Sequence, residues 1–335
     1  MLQFKNATPF AGALHLLPDA DGADALFTVV KGTFALGDRP AVAREQVPLT
    51  PTDEYYGKPG QSSIKQPSDV CLEKPATDVL LIGSAYAPGD RPATELEVSL
   101  AVGPVRKTVR VFGDRVWQRS GVGHAISPPQ PFRTMPLVWE RAFGGADRAG
   151  GEPRAETRNP VGTGYRAPDG EQPLDGMRLP NLEDAASLIS SAKHTPPPAG
   201  FGPICAHWEP RRSYAGTYDE QWQAQRAPFL PRDFDARFFQ LAPPALVASP
   251  YLTGGEAVDV RGATPEGVLQ FHLPRVALNV TYVLDGVPHA RPANLDTVLI
   301  EPDAGRLIMV WRAVLSCDTR ALRVSAVEAA VLEAA

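Results

Sequence analysis

The run Leu96-Glu97-Val98-Ser99-Leu100-Ala101-Val102, then Gly103-Pro104, then Val105-Arg106-Lys107-Thr108-Val109-Arg110-Val111-Phe112 decides the fold class. Leu96, Val98, Leu100 and Val102 alternate with Glu97, Ser99 and Ala101. That is the period of two of a half-buried strand. Gly103-Pro104 breaks the run, and Val109 and Val111 fall on one face of the segment that follows, so the pair reads as a β-hairpin. The same style recurs on both sides. Upstream, Ala25 to Leu36 is rich in β-branched and aromatic residues and follows the turn-like Pro18-Asp19-Ala20-Asp21-Gly22. Downstream, Val276, Leu278, Val280, Tyr282 and Leu284 alternate with smaller or polar residues before the turn dipeptide Asp285-Gly286. Leu295 to Glu301 and Arg306 to Val314 flank Pro302-Asp303-Ala304-Gly305, another hairpin signal. The second of these, apolar at Leu307, Ile308, Met309, Val310 and Trp311, is expected at the centre of a sheet covered on both sides. Leu322 to Val327 reads as one more strand, with an ambiguous Ala-rich tail.

Composition agrees. Prolines number 35 of 335 residues, about twice the usual share, which disfavours a helical bundle because proline fixes φ and lacks a backbone donor. The expectation is a mainly β chain: sandwich-like antiparallel sheets, long ordered loops and one or two short helices. Residues 1–335 read as a single β-rich domain, with an irregular, loop-rich central segment at 121–245. Helices are expected over Leu182 to Ser191, and over Tyr218 to Arg226 with Thr217 as N-cap and Glu220 three residues on. Trp139, Phe143, Tyr165, Trp208, Tyr214, Tyr218 and Trp222 are spread through this segment and supply burial that pins irregular backbone.

Charge and hydropathy exclude several function classes. The 33 Lys+Arg against 38 Asp+Glu give a net charge of −5, so there is no basic field to attract nucleic acid. No apolar run approaches the ~20 residues of a spanning helix, and no secretory signal precedes the first strand. The three widely spaced cysteines, Cys71, Cys205 and Cys317, read as reduced thiols of a cytoplasmic protein.

Signatures of catalysis are sparse. No Walker-type loop, Gly-x-Ser-x-Gly elbow, His-Glu-x-x-His or Cys-x-x-Cys occurs, and Gly162-Thr163-Gly164 reads as a turn rather than a dinucleotide site. Cys205-Ala206-His207 offers two metal ligands without a second pair, so a buried thiol and a hydrogen-bonded imidazole are the better reading. In Trp139-Glu140-Arg141-Ala142-Phe143-Gly144-Gly145, Glu140 would suit a general acid with Asp219 or Glu220 as partner carboxylate; the plainer reading is an ion pair of Glu140 with Arg141. In Trp208-Glu209-Pro210-Arg211-Arg212 the arginines suit either a partner peptide or the carbonyls of the long loops. No cofactor and no metal are expected.

Taken as phrases, several of these stretches resemble a bacterial family, domain of unknown function 2169. They are Lys31-Gly32-Thr33-Phe34, Val111-Phe112-Gly113-Asp114-Arg115-Val116-Trp117, Met135 to Gly145, Asn159-Pro160-Val161-Gly162, Leu179-Pro180-Asn181-Leu182-Glu183, Gly200 to Ile204, Ala215 to Trp222 and Pro231 to Asp235. The resemblance runs over roughly residues 10–315. It implies a cytoplasmic accessory protein of the type VI secretion system, an adaptor or chaperone that binds an effector with a PAAR-like domain, stabilises it and helps load it onto the VgrG spike. It implies no catalytic residues. Trp, Tyr and Arg dominate interface hot spots, so the expected partner-binding residues are Trp139, Arg141, Phe143, Trp208, Arg211, Arg212, Tyr218 and Trp222. The alternatives are a carbohydrate-active hydrolase using the carboxylate pair, and a structural subunit secreted with the spike. Deletion of residues 146–158 is expected to spare the fold.

Overall fold

The computed structural model describes residues 2–149, 154–168 and 172–332. Three sheets form its frame. The largest has the order Val247–Ala248, Thr77–Leu81, Asn294–Glu301, Arg306–Asp318, Asp24–Ala35, Ala11–Pro18, with the short strand Ala41–Val42 also on Asp24–Ala35. All its pairings are antiparallel except Thr77–Leu81 with Asn294–Glu301. A four-stranded sheet has the order Gln3–Asn6, Val324–Leu332, Ala277–Leu284, Val287–Pro292, its first pair parallel. A five-stranded antiparallel sheet runs Leu182–Asp184, Val105–Phe112, Glu95–Val102, Ala257–Arg261, Val268–His272.

The hairpin read from residues 96–112 is present, with Val102 opposite Val105 and Val98 opposite Val109. Val98, Leu100, Val102, Val109 and Val111 are all fully buried. Asp285 and Gly286 both take positive φ, 53° and 79°, which closes the hairpin between Leu284 and Val287 with the twist that flanking strands prefer. Arg306–Asp318 lies in the middle of its sheet as expected, and its alternation explains what covers it. Leu307, Met309, Trp311 and Ala313 share a face with Phe34, Val30, Thr28 and Leu26 across the register. That face meets the four-stranded sheet: Tyr282 donates its hydroxyl to Ala313 O at 3.0 Å and lies 2.9 Å from Thr28 Oγ1. Phe10 stacks on Trp311 at 5.7 Å to seal one end.

The intervening residues, Lys31 and Arg312 among them, face the other way. There the cover is polar. Lys31 Nζ donates to Asp69 at 2.8 Å and Arg312 Nε to Asp296 at 2.8 Å. Lys74 Nζ donates to Asp78 at 2.9 Å and to Thr297 Oγ1 at 2.7 Å. All six charged groups are buried. Three cations meet three carboxylates, so this layer is neutral as a whole, the condition under which buried charge is tolerated.

The helices differ from expectation. The only α-helix among the described residues is Glu220–Gln225, and its N-cap is Asp219, whose carboxylate accepts from Trp222 N at 2.8 Å. Thr217 instead gives both its N–H and its hydroxyl to Asp233. Over 182–191 there is no helix. Leu182–Asp184 pairs with Val109–Val111 as an edge strand, and Glu183 is buried in an ion pair with Arg115. The Ala-rich tail continues as strand Val324–Leu332, while Leu322 sits in a short 3-10 turn with its side chain in solvent.

Candidate functional site

The central segment is organised by a knot of short pairings. Phe143–Gly144 pairs in parallel with Thr163–Gly164. Asn159 is fully buried between them, donating Nδ2 to Trp139 O at 2.8 Å and to Phe143 O at 3.0 Å. Gly144, at φ 149°, passes so close to Asn159 O that no side chain fits there. Gly162 is equally tight, since a Cβ would stand 2.6 Å from Ala142 O. The Gly-x-Gly at 162–164 is thus a packing device, in agreement with its reading as a turn. Asp147 and Glu156 are also built in. Asp147 accepts from Ala167 N at 3.0 Å, and Glu156 takes a two-point bond from Arg158 at 2.7 Å each. Burial opposes the charge of Glu156, but Arg158 more than offsets this and holds its carboxyl below the usual range. Removal of residues 146–158 would take away the Asp147 bond to Ala167 and the backbone bonds of Glu156 to Gly145 and of Glu209 to Thr157; residues 150–153 of that span lie outside the described residues.

The eight residues expected to bind a partner fall into separate groups. Trp139, Phe143 and Trp208 are interior. Trp139 donates its indole N–H to Pro203 O at 3.0 Å and meets Trp208 edge-on at 6.2 Å. Trp208 gives its own N–H to His207 Nε2 at 3.0 Å, which fixes that nitrogen as an acceptor. Burial, helped by Arg211, keeps the His207 imidazole below its ordinary pKa, and burial pushes the Cys205 thiol up to about 12. Among the described residues no group of three or more His, Cys, Asp or Glu could hold a metal ion. Arg141 is half-exposed, donating to Asn181 Oδ1 at 2.9 Å, and Arg212 is in solvent. Arg211 is buried and donates to Phe238 O at 2.8 Å and Ile204 O at 2.6 Å. This is the carbonyl-capping role weighed for it from the sequence.

Tyr218 and Trp222 form an outlying aromatic pair at 4.7 Å, with Tyr218 53% exposed. Trp222 donates to Phe229 O at 2.9 Å, and Arg226 reaches Leu230 O at 2.8 Å and the carbonyls of Ala20 and Asp21. A depression of about 220 Å³ lies between this helix and Pro231–Asp233.

The carboxylates weighed for catalysis are already engaged. Glu140 accepts from Ser63 N at 2.7 Å and Ser63 Oγ at 2.8 Å rather than pairing with Arg141. Asp219 caps the helix, and Glu220 opens it in solvent.

Sequence reasoning missed a groove of about 460 Å³ on the central segment. Pro197, Pro198, Pro210, Pro243 and Pro244 form its walls, with Trp139 and Ile204 beneath and Ala245 at the lip. Its rim carries Lys107, Arg158 and Glu209. Chain contacts hold the walls in place: Ile204 N donates to Leu241 O at 2.8 Å, and Glu209 N to Thr157 O at 3.0 Å. A second depression of about 290 Å³ adjoins it, sharing Ile204, Pro210 and Pro244 and bounded by Arg211, Tyr214 and Val247. The legible signal was the clustering of proline at 196–198 and 243–244. Proline walls are rigid and largely apolar, so such a groove can take a peptide side chain with little loss of its own freedom.

No helix among the described residues is long and apolar enough to cross a membrane. No curated protein and no solved structure matches the chain. Residues 21–312 match the family model described as "Uncharacterized protein conserved in bacteria" (DUF2169), and over that span, which takes in the knot, the groove, the five-stranded sheet, most of the largest sheet and half of the four-stranded one, the chain belongs to this family.

Proposed function

We propose that the chain is a protein-binding adaptor of the type VI secretion system, acting in the cytoplasm to hold an effector with a PAAR-like domain until it is loaded on the VgrG spike. The observation that carries the reading is the proline-walled groove of about 460 Å³, set on loops that the Asn159 knot and the buried Trp139 and Trp208 keep in shape. A rigid β frame presenting ordered loops suits recognition, and a preformed apolar recess lowers the ordering cost of binding. The outlying Tyr218–Trp222 pair adds an aromatic contact of the kind found at interface hot spots. An adaptor must also let go, and an interface of standard size built on a few anchors gives affinity without permanence.

The test is co-expression with a PAAR-like effector encoded beside the gene, followed by affinity capture. Ala245 lines the groove and is exposed, so Ala245→Trp fills the recess without entering the core. Wild-type protein should retain the effector, and Ala245→Trp should lower the yield at least about tenfold. Equal capture by both proteins would remove the groove from the interface, and no capture by wild type would end the adaptor reading.

A further inference from the structure

Arg211 stands apart from the other buried cations of the chain. Lys31, Lys74, Arg115 and Arg312 each have a carboxylate within 4.0 Å. Arg211, at 7% exposure, has none among the described residues. Its Nε and Nη1 are spent on the carbonyls of Phe238 and Ile204, and its guanidinium lies 5.2 Å from the Phe238 ring centre. Nη2 makes no hydrogen bond among the described residues. Carbonyls and a ring face soften the burial of a charge without neutralising it, and an unpaired buried charge is costly to keep. Burial outweighs the more distant attraction of Asp78 and Asp53 and holds the Arg211 pKa below the ordinary guanidinium value.

The side chain lines two recesses. One is the 290 Å³ depression bounded by Ile204, Pro210, Tyr214, Ala242, Pro244 and Val247, which shares Ile204, Pro210 and Pro244 with the proline-walled groove. The other, of about 150 Å³, has Asp53 and Cys71 in its lining. Of the remaining polar groups of the first recess, the Tyr214 hydroxyl makes no hydrogen bond among the described residues, and the others are held. Arg237 is held by Asp235 at 2.9 and 2.6 Å and lies over the Tyr214 ring at 4.3 Å. The Gln240 amide is shared between Ala76 N and Asp78. The uncommitted capacity of this recess is therefore that of two donors, the Arg211 guanidinium and the Tyr214 hydroxyl, among groups that are apolar or already bonded.

We infer that Arg211 is the receptor for a side-chain carboxylate of a partner segment, an aspartate or glutamate flanked by apolar residues that lie along the proline-walled groove. The carboxylate completes the unpaired cation, and the apolar neighbours fill the space above Ile204, Pro210 and Pro244. Charge-assisted bonds to a preset guanidinium are strong and directional, so this contact sets register as well as affinity. Only the identity of the bearer, an effector, rests on the adaptor reading; the site itself is defined by the groove and Arg211.

The experiment uses the full chain and a capped pentapeptide, serine-leucine-aspartate-leucine-serine with blocked termini, titrated with observation of the arginine Nε–H resonances. Binding should shift the Arg211 Nε–H signal, and the asparagine version of the peptide should bind about tenfold more weakly. In Arg211→Gln the preference for aspartate should vanish. Should that variant not fold, Val247→Trp narrows the recess from its rim and should weaken the aspartate peptide to the same degree. Equal binding of the aspartate and asparagine peptides to wild type overturns the inference. So does an asparagine peptide with a free C-terminus that binds as well as the aspartate one, since the main-chain carboxylate would then be the ligand. Effector capture without aspartate preference overturns the carboxylate site alone. Aspartate preference without capture of any PAAR-like effector overturns the adaptor reading and leaves the site standing.

Discussion

Replacing Asp78 by Asn should be among the most damaging single changes of one atom in this protein, and the structure gives its size. The Asp78 carboxylate is fully buried and surrounded by donors. Oδ1 accepts from Gln240 Nε2 at 2.7 Å and Ala242 N at 3.0 Å; Oδ2 accepts from Lys74 Nζ at 2.9 Å and Leu241 N at 2.9 Å. Asparagine can place its one oxygen at either position. With oxygen at Oδ1, the new NH₂ faces the Leu241 N–H and the Lys74 ammonium, donor against donor. Breaking a buried ion pair costs about 3–5 kcal/mol, and a stranded backbone donor about 1–3 kcal/mol more. A conservative total is about 4 kcal/mol. With an unfolding entropy of about 2.1 cal/mol/K per residue, a chain of 335 residues loses about 6 °C of Tm for that amount. Differential scanning calorimetry measures it directly. Removing the cation as well, in Asp78→Asn with Lys74→Met, should recover part of the loss, so the double change should cost less than the sum of the singles by more than about 1 kcal/mol. An Asp78→Asn protein melting within about 1 °C of wild type, or a strictly additive double variant, would refute the account of a coupled ionic layer. The same bonds hold residues 240–242 against the sheet, beneath the walls of the groove, so the loss should extend to effector capture.

Two further changes probe other parts of the frame. Burial pushes the Tyr282 phenol up to about 12 from an ordinary 10. The unfolded chain therefore gives up this proton first, and stability is lost as pH rises from about 10 to about 12, at up to about 1.4 kcal/mol per pH unit. Urea titrations at pH 7, 9, 10 and 11 should show Tyr282→Phe less stable at pH 7 by about 1 kcal/mol, through loss of the bond to Ala313 O, yet with a shallower alkaline decline; an unchanged decline would exclude Tyr282 as its source. Gly162→Ala forces a methyl within 2.6 Å of Ala142 O and should cost about 1–3 kcal/mol or more, read as increased protease sensitivity of the 143–165 region; a variant as resistant as wild type would show that the knot yields.

What was legible in the sequence was whatever obeys a short period. The hairpins at 96–112, 277–292 and 294–318 declare themselves because each buries one face, and their turns carry Gly-Pro, Asp-Gly or Ala-Gly where positive φ is needed. The strand Leu182–Asp184 was misread as helix because its three residues are too few to show any period, and its burial comes from the distant partners Val111 and Arg115. The same limit hid the ionic layer. Lys31, Asp69, Lys74, Asp78, Asp296 and Arg312 are scattered over more than 280 residues of chain, and nothing local marks a lysine as buried. Of the candidate site, the aromatics were visible but their roles were not. Trp139 and Trp208 look like interface residues by type, yet each spends its indole N–H internally, whereas the prolines that shape the groove look like mere loop punctuation.

That inversion says where a partner contact has to be sought. Two of the phrases that carry the family resemblance, Trp139 to Gly145 and Asn159 to Gly162, are, the half-exposed Arg141 apart, tied up in holding the loops together: Asn159 to Trp139 and Phe143, Gly144 to Asn159, Thr163 to Glu140. Residues occupied in this way have no free donors and little free surface to offer. The groove lip at Ala245 and the exposed Tyr218 beside Trp222 lie apart from those two phrases and outside the knot. If the chain works by recognition, the knot provides the rigidity and the intervening residues the specificity, and the two can change independently. Substitution at Ala245 should then alter which partner is held while leaving the melting temperature nearly untouched, whereas substitution at Asn159 should lower the melting temperature first and affect every partner alike.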